Sequence, residues 1–287
     1  MNAYKETRDI LKKYNITANK KLGQNFLIDD EVIDGIISAA NVNENDLIIE
    51  IGPGLGTLTK RLIENSGKVI CIELDTRMIE ILNDRFKFYK NFEVINQDVL
   101  KVDLNKLIDE NKGNELKTAK IVANLPYYIT TPIVMKLLED SLDIESITVM
   151  VQKEVADRLV DVPGGKNSGA ITYGVNYYTI PEKVIEVPNT AFIPAPEVNS
   201  SVIKLKVLEK PSVEVKNEEL LFRIIKMAFM QKRKTLLNGL TNGNLASKEE
   251  IEEMLINLGF DLRIRGEKLS LEDFAKIADY WYEKLTK

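Results

Sequence analysis

The sequence predicts an α/β fold: a Rossmann-like sheet of mostly parallel strands followed by a small C-terminal all-helical domain. Short β-branched runs alternate with longer amphipathic stretches from about residue 46 to residue 206, a glycine-rich turn joins the first run to the first amphipathic stretch, and beyond Pro211 the pattern is helical throughout. A chain of 287 residues, 44% of them hydrophobic, is long enough to bury one large core and one small one. The boundary is expected at residue 208, giving a sheet domain over 1–208 and a helical domain over 209–287.

Strands are expected at 46–51, 68–73, 92–96, 120–123, 146–151, 183–187 and 201–207. Between them, 57–65, 77–88 and 132–140 carry apolar residues at three- and four-residue spacing and read as helices. Pro188, Pro194 and Pro196 separate the last two strands, which suits late, antiparallel closure of the sheet. In the tail, Leu220, Leu221, Ile224, Ile225, Ala228 and Phe229 form one apolar stripe. Ser247 and Glu250 form a capping box ahead of Ile251, Met254, Leu255 and Leu258, and Gly259 supplies a stop. Leu271, Phe274, Ala278, Trp281 and Leu285 define a last helix. There is no internal repeat and no low-complexity segment.

Composition removes several chemistries. The chain has no histidine and a single cysteine, Cys71, so disulfides, Cys/His zinc centres and histidine-based triads are excluded. No metal is expected, and any chemistry rests on carboxylates, amides, backbone groups or an organic cofactor. Met1 to Leu11 mixes charges with apolar positions and has no secretion-signal core. No run reaches the roughly 18 apolar residues needed to cross a bilayer. The expectation is therefore a cytoplasmic protein with no membrane partner. It is also expected to be monomeric, because no exposed heptad or cysteine pair argues otherwise. A net charge of −5 disfavours nucleic acid as a partner, yet Lys226, Lys232, Arg233 and Lys234 cluster without an intervening acid, as do Lys12, Lys13, Lys20 and Lys21.

The run Leu47-Ile48-Ile49-Glu50-Ile51-Gly52-Pro53-Gly54-Leu55-Gly56-Thr57 sets a glycine turn between strand and helix, where a missing Cβ lets backbone approach a ligand. The dinucleotide fingerprint needs a glycine at 57, where Thr57 stands, so a nicotinamide cofactor is disfavoured. Glu73, ending the second strand, can accept from both hydroxyls of a ribose, as in nicotinamide and S-adenosylmethionine enzymes alike. Asp98 after the third strand reads either as a helix N-cap or as an acceptor for an adenine amine, with Val99 beside the ring. After the fourth strand comes Asn124-Leu125-Pro126-Tyr127-Tyr128. The Asn124 side-chain oxygen, with a main-chain carbonyl held by Pro126, can bind both hydrogens of an exocyclic adenine amine and turn its lone pair outward. Tyr127 can stack on a base taken out of its helix. Phe192, in a loop stiffened by Pro194 and Pro196, reads either as a cover for the other face of that base or as core.

Together, Lys21-Leu22-Gly23-Gln24-Asn25-Phe26-Leu27, the Gly52 loop, Glu73, Asp98, Asn124 to Tyr127, Gln152 to Ala156, Phe192 to Pro196 and Gln231 to Leu236 resemble the KsgA (RsmA) family of small-subunit ribosomal RNA adenine dimethyltransferases. The resemblance runs from about residue 8 to residue 282, with the motifs in family order. It implies a class I S-adenosylmethionine-dependent methyltransferase sheet and transfer of two methyls to each of two adjacent adenosines near the 3′ end of 16S ribosomal RNA, in an immature 30S particle. It also implies Asn25 and Leu27 as an N-terminal clamp on the cofactor, Gly52 and Gly54 at its methionine end, Glu73 on its ribose, Asp98 and Val99 at its adenine, and Asn124 at the junction with the target. Lys232, Arg233 and Lys234 become candidate RNA contacts. Arg265 to Ser270 also matches, although Gly266 stands where a proline is frequent. The alternatives are an Erm-type enzyme of 23S ribosomal RNA, a ribosome-assembly checkpoint factor and, less favoured by the Asn124 motif, a DNA adenine methyltransferase.

Overall fold

A computed structural model of the chain describes residues 2–19, 22–113, 116–231 and 233–286. It divides into two compact units: 1–156 with 181–207, and 157–180 with 208–287. The first contains α1 (Ala3–Lys13), β1 (Phe26–Leu27), α2 (Asp30–Ala40), β2 (Asp46–Ile51), α3 (Thr57–Asn65), β3 (Lys68–Glu73), α4 (Thr76–Phe86), β4 (Phe92–Asn96), α5 (Leu104–Lys112), β5 (Thr118–Asn124), α6 (Thr130–Glu139) and β6 (Ser146–Gln152). After α7 (Lys153–Leu159) and α8 (Ala170–Tyr178), the chain supplies β7 (Thr179–Val187), β8 (Phe192–Ile193) and β9 (Ser200–Val207).

Seven strands make one sheet in the order β4-β3-β2-β5-β6-β9-β7, and β1 pairs with β8 in a separate two-stranded ladder. From β4 through β6 the pairs are parallel, while β9 runs antiparallel to β6. This is the class I methyltransferase arrangement expected above. Every residue of β2 is buried, as a central strand covered on both faces requires. β7 begins four residues earlier than the sequence pattern places it and includes Pro181. Its place at the sheet edge explains the tolerance, since an edge strand can spare the N–H that proline lacks. At the start of β2, the Asp46 carboxylate and the Lys120 ammonium meet at 2.8 Å, both almost fully buried. Asn43 N–H, the Asn43 amide and the Thr118 hydroxyl also donate to Asp46, and Lys120 donates to the Asn41 carbonyl, so the pair is well solvated by protein.

The second unit holds α8, α9 (Glu218–Met230), α10 (Leu236–Asn242), α11 (Lys248–Asn257) and α12 (Leu271–Leu285) around a core that includes Tyr173, Leu221, Ile224, Ile251, Phe274 and Trp281. The expected capping box is formed, with Ser247 Oγ accepting from Glu250 N–H and Glu250 accepting from Ser247 N–H. Gly259, at φ +75°, ends α11. Gly266 is set so close to α9 that a Cβ there would lie 2.8 Å from the Ala228 Cβ. The single boundary expected at 208 differs from this division: 157–180 cluster with the helical tail, because Tyr173 and Tyr177 pack in its core and Tyr173 donates to the Leu269 carbonyl.

Candidate active site

In an open α/β sheet a ligand is held beyond the carboxyl ends of the strands, where the strand order reverses. Here the reversal is at β2, flanked by β3 on one side and β5 on the other. Ile51 pairs with Ile72 and with Ala123, so the next residue on each strand, Gly52, Glu73 and Asn124, falls at one level. Glu73 in turn pairs with Asn96, just before Asp98. Gly52, Glu73, Asp98 and Asn124 are thus brought to one edge by strand register.

They line a cleft with about 1100 Å³ of empty space, its open mouth included, bounded also by 22–27 and 124–129. Gly54 and Gly56 have φ of +56° and +80°, in the left-handed region that favours glycine. A Cβ at Gly56 would lie 2.7 Å from both Leu82 and Phe86, so this glycine lets α3 pack on α4. Glu73 is 7% exposed. Its carboxylate accepts from Gly54 N–H at 3.2 Å and Asp75 N–H at 2.8 Å, which fixes its plane and leaves further lone pairs for a ligand. Burial pushes that carboxyl above its ordinary range, against the pull of these N–H groups. Asn96 ties the end of β4 to β3 by donating to the Glu73 and Leu74 carbonyls. Asp98 takes the expected capping role, one oxygen accepting from Leu100 N–H at the turn 99–101, and the residue also lines the cleft beside buried Val99.

On the acceptor side, Asn124 Nδ2 donates to the Asn25 carbonyl at 3.3 Å. That contact fixes which end of the amide is free: the oxygen, an acceptor, is left for the cleft. The Pro126 carbonyl receives Ile129 N–H and the Thr130 hydroxyl, so its acceptor capacity is taken within the turn that leads into α6. Tyr127 is half-buried, and its hydroxyl hydrogen-bonds Ser200 Oγ at 2.7 Å, which sets the ring against the cleft. Burial raises its phenol above the usual range, with the Ser200 contact opposing.

Phe192 lies elsewhere. It is 3% exposed in the β1–β8 ladder, opposite Leu27, and belongs to the hydrophobic core, so its ring does not line the cleft. Its neighbour across the ladder, Leu27, does line it, as does Asn25. Arg233 and Lys234 are exposed in the turn between α9 and α10 and make no ion pair among the described residues; Lys232, and Lys20 and Lys21 near the N-terminus, lie outside the described residues. Two cleft residues escape the sequence reading. Glu50, on β2, is 1% exposed, accepts from the Cys71 thiol at 3.2 Å, and burial pushes its carboxyl up to about 7. Its signal is an acid set between Ile49 and Ile51 in the interior of a doubly covered strand. The other is Gln24, whose amide bridges the Asp75 carboxylate and the Asn19 backbone. Among the described residues no helix is long and apolar enough to cross a membrane, and no His, Cys, Asp or Glu cluster forms a metal-binding group.

Residues 15–283 match the model of a family described as ribosomal RNA adenine dimethylase. The ribosomal RNA small subunit methyltransferase A of Alkaliphilus oremlandii is 46% identical over 98% of this chain and 98% of its own length. That of Lachnoclostridium phytofermentans is 49% identical, over 98% and 97%. Among solved structures, a dimethyladenosine transferase from Plasmodium falciparum aligns with a TM-score of 0.75 at 28% identity, over 90% of this chain and 98% of that one. The 23S rRNA methyltransferase ErmE aligns at 0.65 over 92% and 100%, and at 24% identity that likeness concerns the fold alone. A match spanning both units, with the expected motifs at one sheet edge, settles the matter: the chain belongs to the ribosomal RNA adenine dimethylase family.

Proposed function

We propose that this protein dimethylates the N6 amines of two adjacent adenosines near the 3′ end of 16S ribosomal RNA, in an immature 30S particle, and thereby takes part in small-subunit biogenesis. As a member of its family it is a ribosomal RNA adenine dimethyltransferase. The observation that carries the finer reading is the orientation of Asn124, whose amide nitrogen is spent on Asn25 and whose oxygen is left as an acceptor at the junction of the two halves of the cleft. The names of the relatives at 46–49% identity support the small subunit over an Erm-type choice of 23S ribosomal RNA.

S-adenosylmethionine supplies a methyl made electrophilic by its sulfonium. The residues present fit that donor: Gly52 and Gly54 leave room for close backbone approach, Glu73 keeps acceptor capacity for ribose hydroxyls, and Asp98 and Val99 offer an acceptor and an apolar face for adenine, with Asn25 and Leu27 closing over it. An adenine amine is a weak nucleophile because its lone pair is delocalised into the ring. The Asn124 oxygen and a neighbouring main-chain carbonyl accept its two hydrogens, favour tetrahedral nitrogen and aim the lone pair into the cleft. Tyr127 holds the base by its face. The nitrogen loses its proton readily once alkylated, so the absence of histidine is no obstacle. Arg233 and Lys234, with Lys232, contact RNA phosphates from the helical unit. The enzyme is proposed to act as a cytoplasmic monomer, off the membrane and without a metal. A checkpoint role, holding immature subunits until they are modified, is compatible with the same contacts.

Methyl transfer from labelled S-adenosylmethionine to small subunits lacking the modification tests the proposal, with large-subunit particles as the comparison. Asn124→Ala is expected to lower the single-turnover rate by about 100-fold or more. Full activity in that variant would overturn the assigned role of Asn124. Labelling of the large subunit alone would move the protein to the Erm-type reading.

A further inference from the structure

We infer that Gln24 is a positioning residue for methyl transfer, acting through Asn124. Its amide is used at both ends. Nε2 donates to Asp75 Oδ2 at 2.8 Å, across 51 residues of sequence, and Oε1 accepts from Asn19 N–H at 2.8 Å. The Gln24 N–H also donates to the Asn19 carbonyl at 3.3 Å.

Asp75 is a rigid point of attachment. It is 7% exposed, caps α4 by accepting from Arg77 N–H, and takes both the Arg77 Nε and the distal guanidinium nitrogen on its two oxygens. Its own N–H donates to Glu73 Oε1, so Asp75 is fixed to the ribose-side carboxylate as well. The Arg77 guanidinium holds its carboxyl below the usual range, which keeps it an acceptor for Gln24.

The segment that follows is therefore pinned at both ends. Gln24 anchors one end, and the pairing of Phe26 with Ile193 anchors the other. Between them sits Asn25, whose carbonyl receives Asn124 Nδ2 and whose side chain donates to the Gly23 carbonyl. An asparagine amide has nearly the same shape when turned by half a revolution, so only its hydrogen-bond partner decides which atom faces the cleft. If the Asn25 carbonyl is allowed to drift, the Asn124 amide can turn its NH₂ toward the target and present a donor where an acceptor is required. The path Glu73–Asp75–Gln24–Asn25–Asn124 thus links the cofactor-side acid to the acceptor-side amide through contiguous contacts.

This rests on the methyl-transfer reading above and predicts an effect on the chemical step as well as on binding. Two variants of the full chain test it. Gln24→Met keeps the length of the side chain and removes its hydrogen bonds. Its single-turnover rate at saturating S-adenosylmethionine and saturating unmodified small subunits is expected to fall about tenfold, while the Kd for S-adenosylhomocysteine rises only a few-fold and the melting temperature stays within a few degrees. Gln24→Glu sets a carboxylate against Asp75. It is expected to be slow at pH 8 and to regain rate relative to wild type as pH falls toward about 5.5, because the introduced carboxyl, once protonated, can donate to Asp75 as the native amide does. A Gln24→Met protein with the wild-type saturating rate overturns the inference, and so does a Gln24→Glu pH profile parallel to wild type. Wild type that binds S-adenosylhomocysteine but methylates no ribosomal RNA would instead overturn the functional reading, and the inference with it.

Discussion

Glu50 gives a prediction whose size follows from its surroundings. The carboxyl is buried inside β2, and loss of water is the main reason its pKa rises from 4.5 to about 7. Between those two values the folded protein holds a proton that the unfolded chain has released. Stability therefore falls as pH rises through that window and levels off above about 7. At about 1.4 kcal/mol for each tenfold, the difference amounts to roughly 3 kcal/mol. Glu50→Gln keeps the shape and an oxygen that can accept from the Cys71 thiol, but it does not titrate. The variant is expected to match wild type near pH 4.5 and to exceed it by roughly 3 kcal/mol at pH 8. Urea unfolding of the ligand-free proteins at half-unit steps of pH measures this directly. The raised carboxyl of Glu73 contributes a slope of the same sign in both proteins, and because its charge also helps to raise Glu50, the difference between the two carries that coupling as well. A difference that does not change with pH would refute the reasoning.

Three further outcomes are expected. Lys120→Met leaves the Asp46 carboxylate buried without its cation, a loss of about 3–5 kcal/mol that thermal unfolding would show as a drop of roughly 10 °C. Gly56→Ala combines a φ of +80° with a methyl 2.7 Å from Leu82 and Phe86, and should cost about 2–3 kcal/mol by urea midpoint, because the clash is with packed core side chains. Arg233→Ala and Lys234→Ala should each weaken binding to small-subunit RNA and reduce the slope of log affinity against log salt by about 1, with S-adenosylhomocysteine affinity unchanged in calorimetry.

What the sequence makes legible follows the range of the forces involved. β2, β3 and β4 have the bounds the pattern predicts: β2 and β3 are buried along almost their whole length and show as apolar runs, while β4, half-buried at the sheet edge, shows as the shorter run around Val94 and Ile95. The site is legible for the same reason: Gly52, Glu73, Asp98 and Asn124 stand at strand ends, so knowing the strands gives the level at which the residues meet. Helix α8 escapes the pattern because Ile171, Thr172, Tyr173 and Val175 are β-formers, and tertiary packing of Tyr173 and Tyr177 overrides that preference. The same packing takes 157–180 out of the sheet unit, which no boundary drawn at one point of the chain can express. The spacing carries α4 to residue 88 because Phe88 continues the apolar series, yet Phe88 is 86% exposed and the helix ends at Phe86. Phe192 is legible only as an aromatic in a stiff loop, and pairing with Leu27 is what places it in the core. Least legible of all is Gln24. Its motif marks it as part of a family pattern, but its use depends on Asp75, which lies 51 residues away and is oriented by Arg77, Glu73 and the start of α4 together. Strand-end chemistry can be read from spacing, whereas the orientation of an amide is decided by partners that only the folded chain assembles, and it is the orientation that separates an acceptor at Asn124 from a donor.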